Sequence, residues 1–243
     1  MVIFARTFTS MRLASLFSGG KDSTYAAYLA EQAGHEVPCL VSVVPRDPHS
    51  WVFHTINLEH LPDMAKAMGR TLVAVPSSGE EEGDLAALEQ ALSALDVDGV
   101  VTGAIASDYQ WDRINGVCDR LGLRTLSPLW RKDQLLVLED MLQAGVKAMV
   151  VGVFSGGLGE EWLGRMLDRD AVSALAALAS AKGMNVSGEG GEYETLVLDS
   201  PMHRWELVPE GVRREYHRDS GRLFIERLGA CEHMRLGEGS RRS

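Results

Sequence analysis

The chain has 243 residues, which is enough for one large domain or two small ones with a buried core. Its hydrophobic content of 45% and charged content of 24% are typical of a soluble globular protein. The formal net charge of −10 argues against an extended nucleic-acid-binding surface, which needs clustered lysine and arginine.

Residues 1–10 precede the first strand-like run and are predicted to be an amino-terminal extension. They are mildly signal-like, but Arg12 interrupts the apolar residues and no small-residue cleavage site follows. No apolar run in the chain is long enough to cross a bilayer, and Cys39, Cys118 and Cys231 form no CxxC pair. We therefore expect a cytoplasmic protein with reduced thiols and no membrane segment.

Between residues 11 and 127, short apolar runs alternate with helix-like runs. Near-continuous apolar strands separated by helices are typical of a parallel sheet with helices on both faces. We therefore predict an α/β fold in which residues 11–127 form the first domain. The predicted strands are residues 12–17, 37–44, 71–76 and 98–105, and a helix-like run follows each of them.

After residue 127 the pattern changes, and residues 128–230 are predicted to form a second, smaller domain of mixed α/β structure. Its predicted elements are a helix over 133–145, a strand over 147–154, a helix over 170–183 and short strands up to residue 228. The small polar residues at the carboxyl terminus predict a disordered tail over 231–243.

The sequence SGGKDS, residues 18–23, follows the first predicted strand and begins a helix. Two glycines let backbone N–H groups turn toward an anion, and the start of a helix adds the positive end of its dipole. Hydroxyls and a mobile lysine charge complete a predicted phosphate-binding loop, whose members are Ser18, Gly19, Gly20, Lys21, Asp22 and Ser23. The plainer alternative is a Gly-Gly turn with a solvated lysine.

SGGKDS resembles the signature of the PP-loop, or N-type, ATP pyrophosphatases, and it differs from the GxxxxGK[ST] and GxGxxG phosphate motifs. The resemblance implies a HUP-like domain that binds the β- and γ-phosphates of ATP while the α-phosphorus is attacked. It also implies Mg²⁺ as a cofactor, with Lys21 and Asp22 as exposed catalytic residues. The loop alone does not indicate which group is activated.

A second glycine-rich stretch, SGEGGEYET at residues 187–195, carries three glutamates around a tyrosine. The strand-like run TLVLD follows at once, so we expect a loop that is anchored to a core element. Its glycines allow the backbone to approach a ligand closely. The alternative is a solvated acidic turn, which is the usual role of charge-rich glycine stretches.

Together the two stretches resemble the diphthine–ammonia ligase family of PP-loop ATPases. Further matches lie within residues 103–130 and 157–165, so the resemblance covers about residues 11–201. The chain has no room for the fused modules of longer eukaryotic relatives, and it resembles the short, archaeal-type form. The resemblance implies that the carboxylate of diphthine, a modified histidine of translation elongation factor two, is adenylated by ATP and then amidated by ammonium. AMP and pyrophosphate are released.

The resemblance also implies a substrate site in the acidic stretch. Diphthine carries a quaternary trimethylammonium group, which an aromatic face with nearby carboxylates can hold. Tyr193 with Glu192 and Glu194 fits this role, or one glutamate, for which we assign Glu194, can hold ammonium and take its proton. Glu189 and Thr195 complete the predicted substrate site. The separate roles of the three glutamates and the metal ligands stay open.

Residues near the second and fourth predicted strands extend the site. Gly103 is assigned to ATP, and Tyr109, Gln110 and Arg113 are assigned to the substrate. Arg113 can neutralise a phosphate or the substrate carboxylate, or it is an ordinary surface arginine. Ser42 and Val43, which end the second strand, are placed beside adenine by analogy with the fold class alone.

Three other functions stay open from the sequence. The acidic charge and the missing CxxC pair argue against a PP-loop enzyme that modifies tRNA. A related amide ligase acting on a small-molecule carboxylate fits the same motifs, and so does an ATP-binding sensor that does not turn over. The sequence does not determine the oligomeric state.

Overall fold

The computed structural model describes residues 9–45, 56–155 and 157–232. Its amino-terminal half is a five-stranded parallel sheet with the strand order β3-β2-β1-β4-β5. The strands are β1 (Arg12–Leu16), β2 (Glu36–Pro45), β3 (Thr71–Ser77), β4 (Gly99–Val101) and β5 (Arg124–Leu126). The helices between them are α1 (Lys21–Gln32), α2 (Leu61–Met68), α3 (Glu81–Ser93) and α4 (Asp108–Leu121), and a short 3₁₀ turn (Leu58–His60) precedes α2.

Helices cover both faces of this sheet because successive strand residues point to opposite sides. Leu13 of β1 packs in the cluster that contains α1 and α2. The neighbouring Ala14 packs in a second cluster with residues of α3 and α4, among them Leu88 and Val117. The predicted fold class, a parallel sheet with helices on both faces, is therefore confirmed.

The carboxyl-terminal half forms a second, antiparallel sheet with the strand order β7-β6-β9-β8. Its elements are α5 (Gln134–Ala144), β6 (Lys147–Val153), α6 (Arg169–Lys182), β7 (Tyr193–Asp199), β8 (Trp205–His217) and β9 (Ser220–Glu232), and a 3₁₀ turn (Glu160–Trp162) follows β6. The mixed α/β character predicted for this half is confirmed. One continuous hydrophobic cluster joins it to the α1 and α2 side of the parallel sheet.

The seam between the two halves is also hydrogen-bonded through buried side chains. Asn57 donates from Nδ2 to the carbonyl oxygen of Leu223, 2.9 Å away, and accepts at Oδ1 from the backbone N–H of Ile225, 3.0 Å away. The ring Nε2 of His60 lies 2.8 Å from the Ile225 carbonyl oxygen. These two residues thus replace a neighbouring strand along part of β9.

Several predicted bounds are wrong. β4 ends at Val101, so the last four residues of the strand predicted over 98–105 are a loop. β7 begins at Tyr193, which puts Tyr193, Glu194 and Thr195 in a strand paired with β6 rather than in a loop. The short strands predicted near the carboxyl terminus form one long hairpin, because the β8–β9 pairing continues from Trp205 to Glu232.

Both predicted chain ends fall largely outside the described residues. β9 runs through Glu232, so the first two residues of the predicted tail belong to a strand. Ser10, in the predicted extension, donates from its hydroxyl to the Gly34 carbonyl oxygen at 2.7 Å. None of the helices in the described part of the chain has the length and apolarity that crossing a bilayer requires.

Candidate functional site

A cavity of about 440 Å³ opens at the carboxyl edge of the parallel sheet. The strand order reverses between β1 and β4, and in open α/β sheets this point is where ligands bind. The volume lies within the usual range for small-molecule sites. The predicted site residues that line the cavity are Ser18, Gly20, Lys21, Asp22, Ser23, Ser42, Gly103, Gln110, Glu189, Tyr193, Glu194 and Thr195.

The phosphate-binding loop ends at the first turn of α1 and is braced by its own hydroxyls. Ser23 donates from Oγ to the Gly20 carbonyl oxygen at 3.1 Å, and the Gly20 N–H donates to Ser18 Oγ at 3.3 Å. Gly19 has a φ of +78°, and a Cβ there would lie 3.0 Å from Met64 Sδ. The loop therefore presents the positive end of α1 to the cavity in a fixed shape.

Strand β7 is hydrogen-bonded directly to this loop. The backbone N–H of Val197 donates to the Gly19 carbonyl oxygen at 2.9 Å, and the Lys21 N–H donates to Thr195 Oγ1 at 3.1 Å. The two predicted signatures, far apart in the chain, therefore meet in one site. Gly19 lies outside the cavity lining because its carbonyl faces β7.

Lys21 is buried rather than exposed, which corrects the expectation from the sequence. Its side chain points into the seam, where Nζ donates to Asp22 Oδ2 at 2.8 Å and to the Ser187 carbonyl oxygen at 2.5 Å. Nζ also lies 5.2 Å from the centre of the Tyr193 ring. The other oxygen of Asp22, Oδ1, is buried and has no hydrogen-bond partner among the described residues.

The Glu189 carboxylate lies at the amino-terminal end of α4. Its Oε1 accepts hydrogen bonds from the backbone N–H groups of Ile105 and Ala106, both at 3.0 Å, and of Ser107 at 3.1 Å. Ser107 caps α4 by accepting from the Gln110 N–H. Glu189 thereby ties the acidic stretch to the loop that follows β4.

Glu192 is 6% exposed, and its carboxylate is bonded to the acidic stretch and to Asn185 just before it. Its Oε1 accepts from the backbone N–H of Asn185 at 2.7 Å, and its Oε2 accepts from the Gly190 N–H at 2.9 Å. It does not line the cavity. Of the three glutamates, Glu189 and Glu194 therefore reach the cavity, whereas Glu192 shapes the turn between them.

The Tyr193 ring is 3% exposed, and its phenol donates to the Val186 carbonyl oxygen at 2.9 Å. Burial raises the pKa of Tyr193 well above its ordinary value, and the nearby Asp22 and Glu192 carboxylates raise it further. The phenol is therefore neutral near pH 7 and cannot act as a base.

The opposite end of the cavity is apolar. It is lined by Leu16, Phe17, Val41, Val43, Leu58 and Ile114, with the buried Ser42 among them. An apolar slot beside a helix amino terminus suits a purine joined to phosphates. Sequence reasoning had named only Ser42 and Val43 here, because the other residues read as ordinary strand or helix core.

Tyr109 and Arg113 lie outside the cavity lining. Gln110 and Ile114 share the α4 face that lines the cavity, whereas residues 109 and 113, four apart, share another face. There Arg113 and Tyr109 both donate to Glu81, and the Arg113 guanidinium lies 3.4 Å from the Tyr109 ring centre. The hydrogen bond from Arg113 and then that from Tyr109 lower the pKa of Glu81.

Comparison with known proteins gives a family for this architecture. The pattern of the diphthamide synthase N-terminal domain matches residues 11–125, and that of the diphthamide synthase C-terminal domain matches residues 133–230. The chain belongs to the diphthamide synthase family.

Members of the diphthamide synthase family in other organisms match most of the chain. A protein named diphthine–ammonia ligase from Danio rerio is 34% identical over 86% of this chain and 90% of its own length. The Homo sapiens protein of the same name is 34% identical over 85% of this chain and 86% of its own length. The Schizosaccharomyces pombe protein of that name is 32% identical over 91% of this chain, which spans 39% of that longer relative.

The cavity is also lined by residues that sequence reasoning missed. Thr102, Ala104 and Ser107 line the cavity in the loop between β4 and α4, which had been read partly as strand. The residue in that run that could have indicated a loop close to another backbone is Gly103. A Cβ at this position would lie 2.7 Å from the Asp22 carbonyl carbon and the Ser23 nitrogen, so only glycine fits without a shift. The loop after β4 therefore packs directly against the first turn of α1.

The cavity of this chain has a donor that suits Mg²⁺. In the described part of the chain, no three acidic, cysteine or histidine side chains cluster as a metal site. Mg²⁺ in nucleotide sites needs fewer protein ligands, since one or two carboxylates suffice when phosphates and water complete its coordination shell. Asp22 fits this requirement, because it lines the cavity and its Oδ1 is buried without a hydrogen-bond partner among the described residues.

Proposed function

We propose that this chain is an ATP-dependent ligase that converts diphthine on translation elongation factor two to diphthamide, with ammonium as the nitrogen donor. The supporting observation is a single cavity in which the amino terminus of α1 faces the SGEGGEYET stretch. The names of the relatives from zebrafish and human agree with this reaction. Because elongation factor two works on ribosomes, we place the reaction in the cytoplasm.

The cavity orients ATP by its two unlike ends. Adenine lies in the apolar slot beside Ser42 and Val43, and the phosphates lie at the first turn of α1. Asp22 would hold Mg²⁺ through its unpartnered oxygen, and the bound ion would neutralise phosphate charge. The α-phosphorus is thereby directed toward the acidic end, where the substrate carboxylate enters.

The two steps form and break one bond each. A diphthine carboxylate oxygen attacks the α-phosphorus, and pyrophosphate leaves with the electrons of the broken P–O bond. Ammonia then attacks the acyl carbon, and AMP leaves. Ammonium must lose one proton before its nitrogen attacks, and Glu194, which lines the acidic end, takes that proton. The nitrogen loses a second proton as the amide forms, and the phosphate of the departing AMP takes it.

The trimethylammonium group belongs at the same acidic end, near Glu194 and Tyr193. Tyr193 offers only the part of its ring that lines the cavity, because Lys21 already lies over the ring. Gln110, on the facing side of α4, supplies a polar contact for the substrate amide or carboxylate oxygens. Tyr109, Arg113 and Glu192 have no direct role in this arrangement.

The test is release of pyrophosphate from ATP with diphthine-bearing elongation factor two, together with a mass spectrum that shows OH replaced by NH₂. We expect one pyrophosphate and one AMP for each amide formed. Asp22→Asn should reduce this rate by about a hundredfold or more, since electrostatic groups at transferring phosphates act on that scale. Asp63→Asn, an exposed charge on α2, is the matched control.

Two results would contradict the proposal. One is equal pyrophosphate release with elongation factor two that carries an unmodified histidine. The other is release that responds to tRNA or to a small carboxylate and not to the diphthine-bearing protein. ATP binding without any turnover under these conditions would identify a sensor instead.

A further inference from the structure

Lys21 differs from the other lysines of the chain in its burial. The chain has five lysines; Lys66, Lys132, Lys147 and Lys182 are exposed, whereas Lys21 is 3% exposed. Burying an ammonium group is costly unless its donors are satisfied. A lysine that binds phosphate would instead keep its ammonium group at the cavity surface, where the nucleotide can reach it.

The Lys21 ammonium makes two hydrogen bonds and one cation–π contact in the seam. Asp22 Oδ2 and the Ser187 carbonyl oxygen accept hydrogen bonds, and the Tyr193 ring lies beneath the charge. The stem lines a small apolar cavity with Leu138, Met141 and other side chains of the second half. Turning Nζ toward a phosphate would break these contacts and leave the buried Ser187 carbonyl without its donor.

We propose that Lys21 is a positioning residue that pins the acidic stretch to the phosphate-binding loop and orients the Asp22 carboxylate, and that it is not a phosphate ligand. This inference rests on the proposed function only for the effect on turnover. The ammonium holds Oδ2 of Asp22, whereas Oδ1 has no hydrogen-bond partner among the described residues. By holding Ser187, the ammonium fixes the start of the stretch that carries Glu189 and Glu194.

The first test uses the unmodified chain and needs no substrate. Lysines are acylated at low reagent concentration with and without a non-hydrolysable ATP analogue, and each site is quantified by mass spectrometry. We expect Lys21 to react at least about tenfold more slowly than the four exposed lysines in both conditions, since its ammonium is hydrogen-bonded and desolvated. Rapid acylation of Lys21 that the ATP analogue suppresses would overturn the proposal.

The second test is Lys21→Met, which keeps an unbranched apolar stem and removes the charge. We expect the affinity for the ATP analogue to stay within about threefold of the original, whereas kcat for diphthine-dependent AMP formation falls by about tenfold or more. Lys132→Met is the control. A drop in analogue affinity of about tenfold or more with kcat unchanged would overturn the proposal, because loss of a charged phosphate contact has that size.

The two tests separate this inference from the proposed function. If the diphthine-bearing protein gives no turnover, the proposed function fails, yet acylation and analogue affinity still decide the role of Lys21. If Lys21→Met does not fold, the acylation experiment on the original chain decides it alone.

Discussion

Glu189 shows how one carboxylate oxygen can organise the backbone of a distant loop. It accepts three consecutive N–H groups, from Ile105 to Ser107. We expect Glu189→Ala to speed hydrogen exchange at these amides, because their acceptor is removed. Glu189→Gln keeps one oxygen acceptor, so its exchange rates at these amides should fall between those of the original chain and those of Glu189→Ala. The exposed Glu139→Ala on α5 is the control, and unchanged exchange at residues 105–107 in Glu189→Ala would contradict the assignment.

Tyr193 predicts a pH effect whose sign follows from its surroundings. Burial raises its pKa in the folded chain above the ordinary value of 10.0. As pH rises past 10, the unfolded chain loses this proton first, so the free energy of unfolding falls; below that pH the contribution is fully present.

Tyr193→Phe should therefore flatten the alkaline loss of stability. The slope of the free energy of unfolding against pH should decrease by at most about 1.4 kcal/mol per pH unit, which is the value for one proton. At neutral pH the variant should be less stable by about 1 kcal/mol, because the hydrogen bond to the Val186 carbonyl is lost while the ring stays. Urea unfolding from pH 8 to 11 measures both effects, and parallel pH curves for the two proteins would refute the prediction.

At the scale of elements, the loop after β4 and the first turn of α1 are in close backbone contact at Gly103. We expect Gly103→Ala to displace the phosphate-binding loop and weaken binding of an ATP analogue by about tenfold or more, since the new Cβ meets backbone atoms that cannot rotate away. Titration calorimetry measures the affinity.

Gly116→Ala in α4 is the matched control for this substitution. A Cβ there meets nothing nearer than 3.7 Å, and it should stabilise the chain by about 0.5–1 kcal/mol through helix propensity. Equal analogue affinity in Gly103→Ala and the original chain would show that the contact is not needed for the site.

The elements that the sequence predicted correctly are those with a strong local pattern. The apolar runs around Leu13, Leu40 and Val73 alternate with helices, and this alternation is visible without any knowledge of distant contacts. The run from Thr102 to Ile105 was misread because a loop that lines a cavity can be as apolar as a strand. Likewise, Tyr193 was read as loop because its pairing with Val153 of β6 is not local.

The candidate site was predictable as two motifs but not as a geometry. The phosphate-binding loop and the acidic stretch were identified, yet their internal roles depend on partners far along the chain. Glu189 bonds residues 82 to 84 positions away, and Lys21 bonds a carbonyl 166 positions away. The Arg113 side chain likewise turns toward Glu81 of α3, and the spacing of residues within α4 cannot reveal this partner.

At the scale of the whole molecule, Asn57 connects the two halves from a 2% exposed position with a φ of +58°. Asn57→Ala should lower the free energy of unfolding by about 2–4 kcal/mol, because two buried backbone groups of β9 lose their partners and alanine is strained at positive φ. Asn115→Ala, which loses a bond within its own helix, should cost about 1 kcal/mol or less. Equal losses in urea unfolding would contradict this assignment.

The hydrogen bonds from β7 to the phosphate-binding loop have a thermodynamic consequence. The Val197 N–H and Thr195 Oγ1 hold the backbone of Gly19 and Lys21, so in the proposed arrangement one hydrogen-bonded unit contacts both ATP and the second substrate. Any adjustment of that unit by one ligand changes the free energy of binding the other. Linkage then requires reciprocity: the factor by which ATP alters the affinity for diphthine-bearing elongation factor two equals the factor by which that protein alters the affinity for ATP.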